Sequence, residues 1–160
     1  MARLNIVKEG DEVLRKHCRP VTEITPRILR LLDDMLETLH EANGVGLAAP
    51  QVGVLRRLCI VEVEEGTLYE LINPEIIARE GEQQEVEGCL SIPEEWGVTD
   101  RPEKVTVRAM NRRGEIYEAT GEGLLARAFC HEIDHLDGVL FKDRAVRMLT
   151  REEIKEMMED

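Results

Sequence analysis

The sequence predicts an α+β fold. Three observations lead there: segments whose apolar residues recur at helical spacing, short strand-like segments with a hairpin turn between two of them, and no regular alternation of strand with helix. A chain of 160 residues is long enough to bury a continuous core. It contains no internal repeat, low-complexity tract or linker, so one domain over 1–160 is expected.

The first helix is expected over residues 25 to 42. Thr25 offers an N-cap oxygen and Pro26 suits the first helical position. Ile28, Leu31, Leu32, Met35, Leu36 and Leu39 then recur at helical spacing, and Asn43 with Gly44 ends the run. The stretch GVGLAAPQVG (44–53) is too irregular for a helix. Strands are expected at 57–63, 69–73 and 104–110, the last turning at Asn111 to Gly114 onto 115–120. EGCLSIP (87–93) reads as a glycine-containing break after a polar strand. A second helix begins near Gly121 to Gly123 and runs to about Leu136. Thr150 with Glu153 forms a capping-box pattern for a third, which runs to the end of the chain.

Composition excludes several classes of function. The 21 basic residues against 33 acidic ones give a net charge of −12, the wrong sign for a general nucleic-acid binder or for adsorption to anionic lipid. No apolar run approaches the length of a membrane span. The segment MARLNIVKEG has the character of neither a secretory signal nor a transit peptide, and a cytoplasmic location is expected. Cys18, Cys59, Cys89 and Cys130 lie far apart and are expected to be free thiols.

The strongest chemical signal is HEIDH at 131–135. Residues four apart on a helix lie about 40° apart around the axis and about 6 Å along it. His131 and His135 can therefore hold one metal ion, with Glu132 beside it as a general base. Leu125, Phe129, Ile133 and Leu136 make the core-facing stripe of the same helix, and Leu124, Ala128, His131 and His135 share the adjacent face. A catalytic site of this kind wants three protein ligands and an open position. A carboxylate from Glu152, Glu153 or Glu156 is one source of the third ligand, and the thiolate of Cys89 is another. A noncatalytic structural site usually closes with four ligands and leaves Glu132 without a purpose. Cys130 points about 100° away from His131 and is not expected to ligate. His17 and His40 have no spaced partner and read as surface residues.

Three separated segments, GVGLAAPQVG (44–53), EGCLSIP (87–93) and HEIDHLDG (131–138), resemble the three signature motifs of peptide deformylases, in the same order. The likeness extends to LRKHCRPV, RPEKVTVRA and GVLFKDR, and so covers most of the chain. The resemblance implies antiparallel sheets packed around a central helix that carries the HEIDH motif. It also implies a metal-dependent hydrolase that removes the N-formyl group from newly synthesised N-formylmethionyl peptides and releases formate.

Carried over by position, the resemblance makes Cys89, His131 and His135 the metal ligands and Glu132 the general acid/base. Gln51 becomes a donor to the formyl oxygen, Leu90 a second donor through its backbone N–H, and Gly46 a backbone contact for the peptide. The implied cofactor is one divalent metal ion, Fe(II) in the cell, with Zn, Ni or Co also accepted; a thiolate and two imidazoles suit zinc equally. Gly44 and Gly46 leave room for an extended peptide to add like a strand. Val45, Leu124, Ala128 and the alkyl stem of Arg127 are expected to form the methionine slot. The partners expected are the nascent peptide and the ribosome near its exit tunnel. The acidic last helix lacks the basic tail that approaches ribosomal RNA. Two features sit outside the pattern: Cys130 occupies a place where Gln is common in the family, and Trp96 has no assigned role.

Overall fold

The structure, a computed structural model, describes residues 2–159. In chain order the elements are α1 (Pro26–Ala42), β1 (Gly46–Ala48), β2 (Leu58–Val61), β3 (Tyr69–Glu80), β4 (Gln83–Cys89), β5 (Ile92–Arg101), β6 (Lys104–Met110), β7 (Ile116–Glu122), α2 (Leu124–Leu136), α3 (Phe141–Arg144), β8 (Ala145–Met148) and α4 (Arg151–Glu159). They form a five-stranded sheet of order β1-β2-β3-β6-β7 and a three-stranded sheet of order β4-β5-β8. Every strand pair in both sheets is antiparallel.

At β2 the five-stranded sheet is buried on both faces, which explains why this strand reads as an unbroken apolar run and not as an alternation. Leu58 and Ile60 point to one side and meet Ile28, Leu32, Met35 and Leu39 of α1. Cys59 and Val61 point to the other and meet Ala126, Phe129, Ile133 and Leu136 of α2. Each helix therefore spends its apolar stripe on one face of the same sheet.

The helix boundaries follow the expected chemistry. Thr25 caps α1 by accepting from the Ile28 N–H at 3.3 Å, and Asn43 ends it in the left-handed region at φ 55°. The α4 capping box forms in both directions: Thr150 Oγ1 accepts from the Glu153 N–H, and the Thr150 N–H donates to Glu153.

Four features depart from expectation. Strand β3 runs to Glu80 instead of stopping at Asn73. Asn73 adopts φ 51°, and a register shift between Ile72 and Glu75 lets the strand bend and continue. GVGLAAPQVG contains a strand, Gly46–Ala48, followed by one tight helical turn over Ala49–Val52. The second sheet is larger than one polar strand: β4 turns at Leu90 and Ser91 directly into β5, and β8 adds to its far edge. The side chains of β4 are largely polar and exposed, and β8 is only four residues long with none of them buried, so hydrophobic periodicity carries little trace of this sheet. The short helix α3, a single turn of four residues, is too brief to leave a periodic pattern.

Both β1 and β4 are edge strands, one of each sheet. A cleft opens between them, with α2 as its third wall.

Candidate active site

Helix α2 packs against β1, β2 and β7 of the first sheet and touches β5 of the second. Its buried face carries His131, Glu132 and His135, which are 8%, 3% and 1% exposed. Cys89, the last residue of β4, brings its Sγ to 3.4 Å from His135 Nε2. One ligand atom from each of Cys89, His131 and His135 lies within 4.8 Å of the others. Cys130 faces the core with Cys18 and Cys59 and takes no part in this group. Glu153, a candidate third ligand from the last helix, is occupied in capping α4 and pairing with Arg147.

His131 is held from behind. Its Nδ1 meets the Glu87 carboxylate, so Nε2 is left for the cleft side. Glu87 also accepts from Thr99 Oγ1 at 2.8 Å and from Arg101 Nε and Nη2 at 3.2 and 2.7 Å. Arg101 reaches on to Asp134 of α2 at 2.7 Å, and Asp134 is also met by Arg144. The hairpin that supplies Cys89 is thereby tied to the helix that supplies the histidines. Burial alone would raise the Glu87 carboxyl, but hydrogen bonds from His131 and Arg101 outweigh it and hold that group well below the usual range. Glu87, Arg101 and Asp134 lie inside EGCLSIP, RPEKVTVRA and HEIDHLDG, yet no spacing rule assigns them a role.

The charges around the histidines favour a cation. Burial opposes protonation of His131, but Glu132, Cys89 and Glu87 reverse that and raise it well above the ordinary value. His135 moves the other way: burial and the neighbouring His131 keep it neutral, with its ring available as a donor of electrons. Together with one thiol and two imidazoles, this is a donor set that fits a divalent transition metal. Burial pushes Glu132 up to about 7, against the opposing pull of His131, and its Oε1 has no partner among the described residues.

The cleft has a volume of about 460 Å³. Gly46 stands in it with no room for a side chain, because a Cβ there would lie 2.5 Å from Glu132 Oε2. Gln51 is 1% exposed; its Oε1 accepts from the Ala48 N–H at 2.9 Å, which orients the amide. Its Nε2 then donates to Ser91 Oγ at 3.1 Å and lies 3.5 Å from Cys89 Sγ. Leu90 occupies the turn between β4 and β5 and lines the cleft. Val45 and Leu124 form an exposed apolar rim, and Ala128 and Arg127 lie deeper in the same wall. Val45, Gly46, Gln51, Cys89, Leu90, Leu124, Arg127, Ala128, His131 and Glu132 thus line one cleft, and His135 lies buried behind it against Cys89. Trp96 joins them, with its indole ring lying where a Cβ of Gly88 would be. His17 and His40 lie outside it, His40 being paired with Glu62.

Residues 3–151 match the family model for polypeptide deformylase. The peptide deformylase of Caldanaerobacter subterraneus subsp. tengcongensis is 57% identical over 159 residues, covering 99% of each chain. That of Acetivibrio thermocellus is 54% identical over 160 residues, covering 100% of this chain and 94% of the relative. Among solved structures, the peptide deformylase of Legionella pneumophila superposes with a TM-score of 0.87 at 43% identity, covering 98% of this chain and 90% of the other. The enzyme of Synechococcus elongatus, solved in complex with actinonin, gives a TM-score of 0.87 at 39% identity, covering 99% and 86%. This chain belongs to the polypeptide deformylase family, metal-dependent hydrolases that remove the N-formyl group from newly made peptides.

Proposed function

We propose that Glu132, Gln51 and the Leu90 backbone carry out the deformylation of N-formylmethionyl peptides in this chain, at a metal held by Cys89, His131 and His135. The observation that carries this reading is the convergence of one thiol and two imidazoles within 4.8 Å, beside a buried carboxyl oxygen that has no partner among the described residues. A divalent metal bound there supplies Lewis-acid polarisation and makes water more acidic, from a pKa of about 15.7 toward 7.

The remaining work falls to the protein. As water adds to the formyl carbon, Glu132 takes its proton, and it returns that proton to the peptide nitrogen as the C–N bond breaks. Formate and a free amino terminus leave. Burial pushes the Glu132 carboxyl upward, the direction that helps one group both accept and donate a proton. Gln51 Nε2 and the Leu90 N–H steady the oxyanion that develops on the formyl oxygen, and one such donor is worth about 3 kcal/mol. The Ala48 N–H holds the Gln51 amide with its NH2 toward Cys89 and Ser91, and one of those N–H groups turns to the oxyanion in the reaction. Val45, Leu124, Ala128 and the stem of Arg127 take the methionine side chain, and Gly46 lets the peptide backbone approach β1.

We read the whole of 1–160 as one catalytic domain, since both sheets contribute to a single cleft. Its substrate exists on newly made chains, which puts the reaction in the cytoplasm, near the ribosomal exit tunnel. Among the described residues no helix is long and apolar enough to cross a membrane. Fe(II) is the proposed metal in the cell, with zinc, nickel or cobalt able to occupy the same ligands.

The test is formate release from formyl-Met-Ala-Ser by anaerobically purified protein of known metal content. Cys89→Ser should empty the metal site and abolish turnover, whereas Glu132→Gln should keep the metal and lose about 100-fold to 10,000-fold in kcat. Full metal content and activity in Cys89→Ser would reject the assignment.

A further inference from the structure

We propose that the guanidinium of Arg127 reads the peptide beyond its methionine, favouring a carboxylate side chain on the second or third residue over an ammonium. This rests on the deformylase reading of the cleft and extends it to sequence preference.

The stem of Arg127 lies in the cleft wall, and its head spans the mouth from α2 to β4, where Nη1 donates to the Val86 carbonyl at 3.0 Å. Nε is buried without a hydrogen-bond partner, and among the described residues no carboxylate lies within ion-pair distance of this guanidinium. Three other arginines at least partly shielded by the fold are differently placed: Arg101 pairs with Glu87 and Asp134, Arg57 with Asp137, and Arg112 with Glu70 and Asp33. In a chain with 33 acidic and 21 basic residues, a cation in the substrate cleft is left without its counterion. Of the two acidic residues in the lining, Glu87 is already taken by Arg101, Thr99 and His131, and Glu132 makes no ion pair with Arg127 among the described residues. A guanidinium offers five N–H donors, and one of them is used here by Val86.

Position says what it would meet. Val86 lies three residues before Cys89 on β4, about 10 Å away at roughly 3.3 Å per residue. A peptide extended along that edge, with its formyl group at Cys89, brings its second or third residue level with Val86. Methionine fills the slot below and has no anionic group to offer.

The test compares kcat/KM for formyl-Met peptides carrying Glu, Lys or Ala at the second position, and the same set at the third. Arg127→Gln should lower the Glu-to-Lys ratio about fivefold to tenfold at one of these positions, chiefly through KM. Added salt should shrink the wild-type ratio, and Arg127→Lys should retain most of it. Arg113→Gln, which removes an exposed charge paired with Glu115, controls for net charge and should leave the ratio unchanged. Metal content is measured for each variant. An unchanged ratio in Arg127→Gln, or an equal fall in Arg113→Gln, overturns the role of Arg127 while the alanine peptides still report deformylation. Failure of wild-type protein to release formate from any peptide overturns the deformylase reading and this inference together.

Discussion

Replacing Glu87 by Gln keeps the volume of the side chain and removes its charge. Glu87 is 7% exposed and accepts from His131 Nδ1, Thr99 Oγ1 and two nitrogens of Arg101, which is itself 4% exposed. A glutamine offers one accepting oxygen and presents an NH2 group to the donors it displaces. Arg101 keeps Asp134 but loses its bidentate partner. Hydrogen bonds to charged groups are worth about 1.5 to 3 kcal/mol each, but those sharing one carboxylate do not add. Removing one member of a buried pair costs about 3 to 5 kcal/mol, and that is the loss expected in urea denaturation of metal-free protein. Because domains are stable by about 5 to 15 kcal/mol, the variant should still fold. Its His131 ring is no longer fixed from behind, so metal affinity measured against a competing chelator should weaken by about 10-fold to 100-fold. Arg101→Met should cost a similar amount of stability, and the double variant clearly less than the two losses combined. Additive losses, or a Glu87→Gln protein with unchanged stability and metal affinity, would refute the argument that this carboxylate couples the hairpin to α2.

Four further outcomes follow from the cleft. Gly46→Ala puts a Cβ against the Glu132 carboxyl, 2.5 Å from Oε2, and should lower kcat severely while leaving metal content near wild type. Leu124→Trp, at a rim position 43% exposed, should be tolerated by the fold yet block formyl-Met substrates; unchanged turnover would remove Leu124 from the methionine slot. Iodoacetamide at pH 7 should label metal-free protein at Cys89 alone, read by peptide mass mapping. Burial raises Cys18 to about 11 and also raises Cys59 and Cys130, so those thiols stay in the unreactive form. Iron-loaded protein should lose activity in air while zinc-loaded protein holds it, and equal decay of both would point to oxidation of a thiol instead of the metal.

Helices and the metal pair were legible because their information is local. The i, i+4 spacing of His131 and His135, the Thr25 cap, and the reciprocal bonds of Thr150 and Glu153 are properties of a few consecutive residues. The apolar run of β2 was equally plain, since both its faces meet a helix. The second sheet was mostly hidden for the opposite reason: the outer positions of β4 and β8 are solvated, and no alternation survives there. Likewise the length of β3 depended on a left-handed Asn73, a conformation that composition permits but does not announce.

By itself, then, the sequence determined the three longer helices, the His-Glu-His constellation and, through three motifs in register, the family. Only the tertiary structure decided that Glu87 stands behind His131, that Gly46 is small because Glu132 packs upon it, and that Arg127 spans the cleft without a counterion. Cys89 and His135 are 46 residues apart along the chain, yet their ligand atoms lie 3.4 Å from each other. No local periodicity encodes that distance. It is set where two sheet edges meet one helix, and their meeting is enforced by apolar burial summed over the whole core.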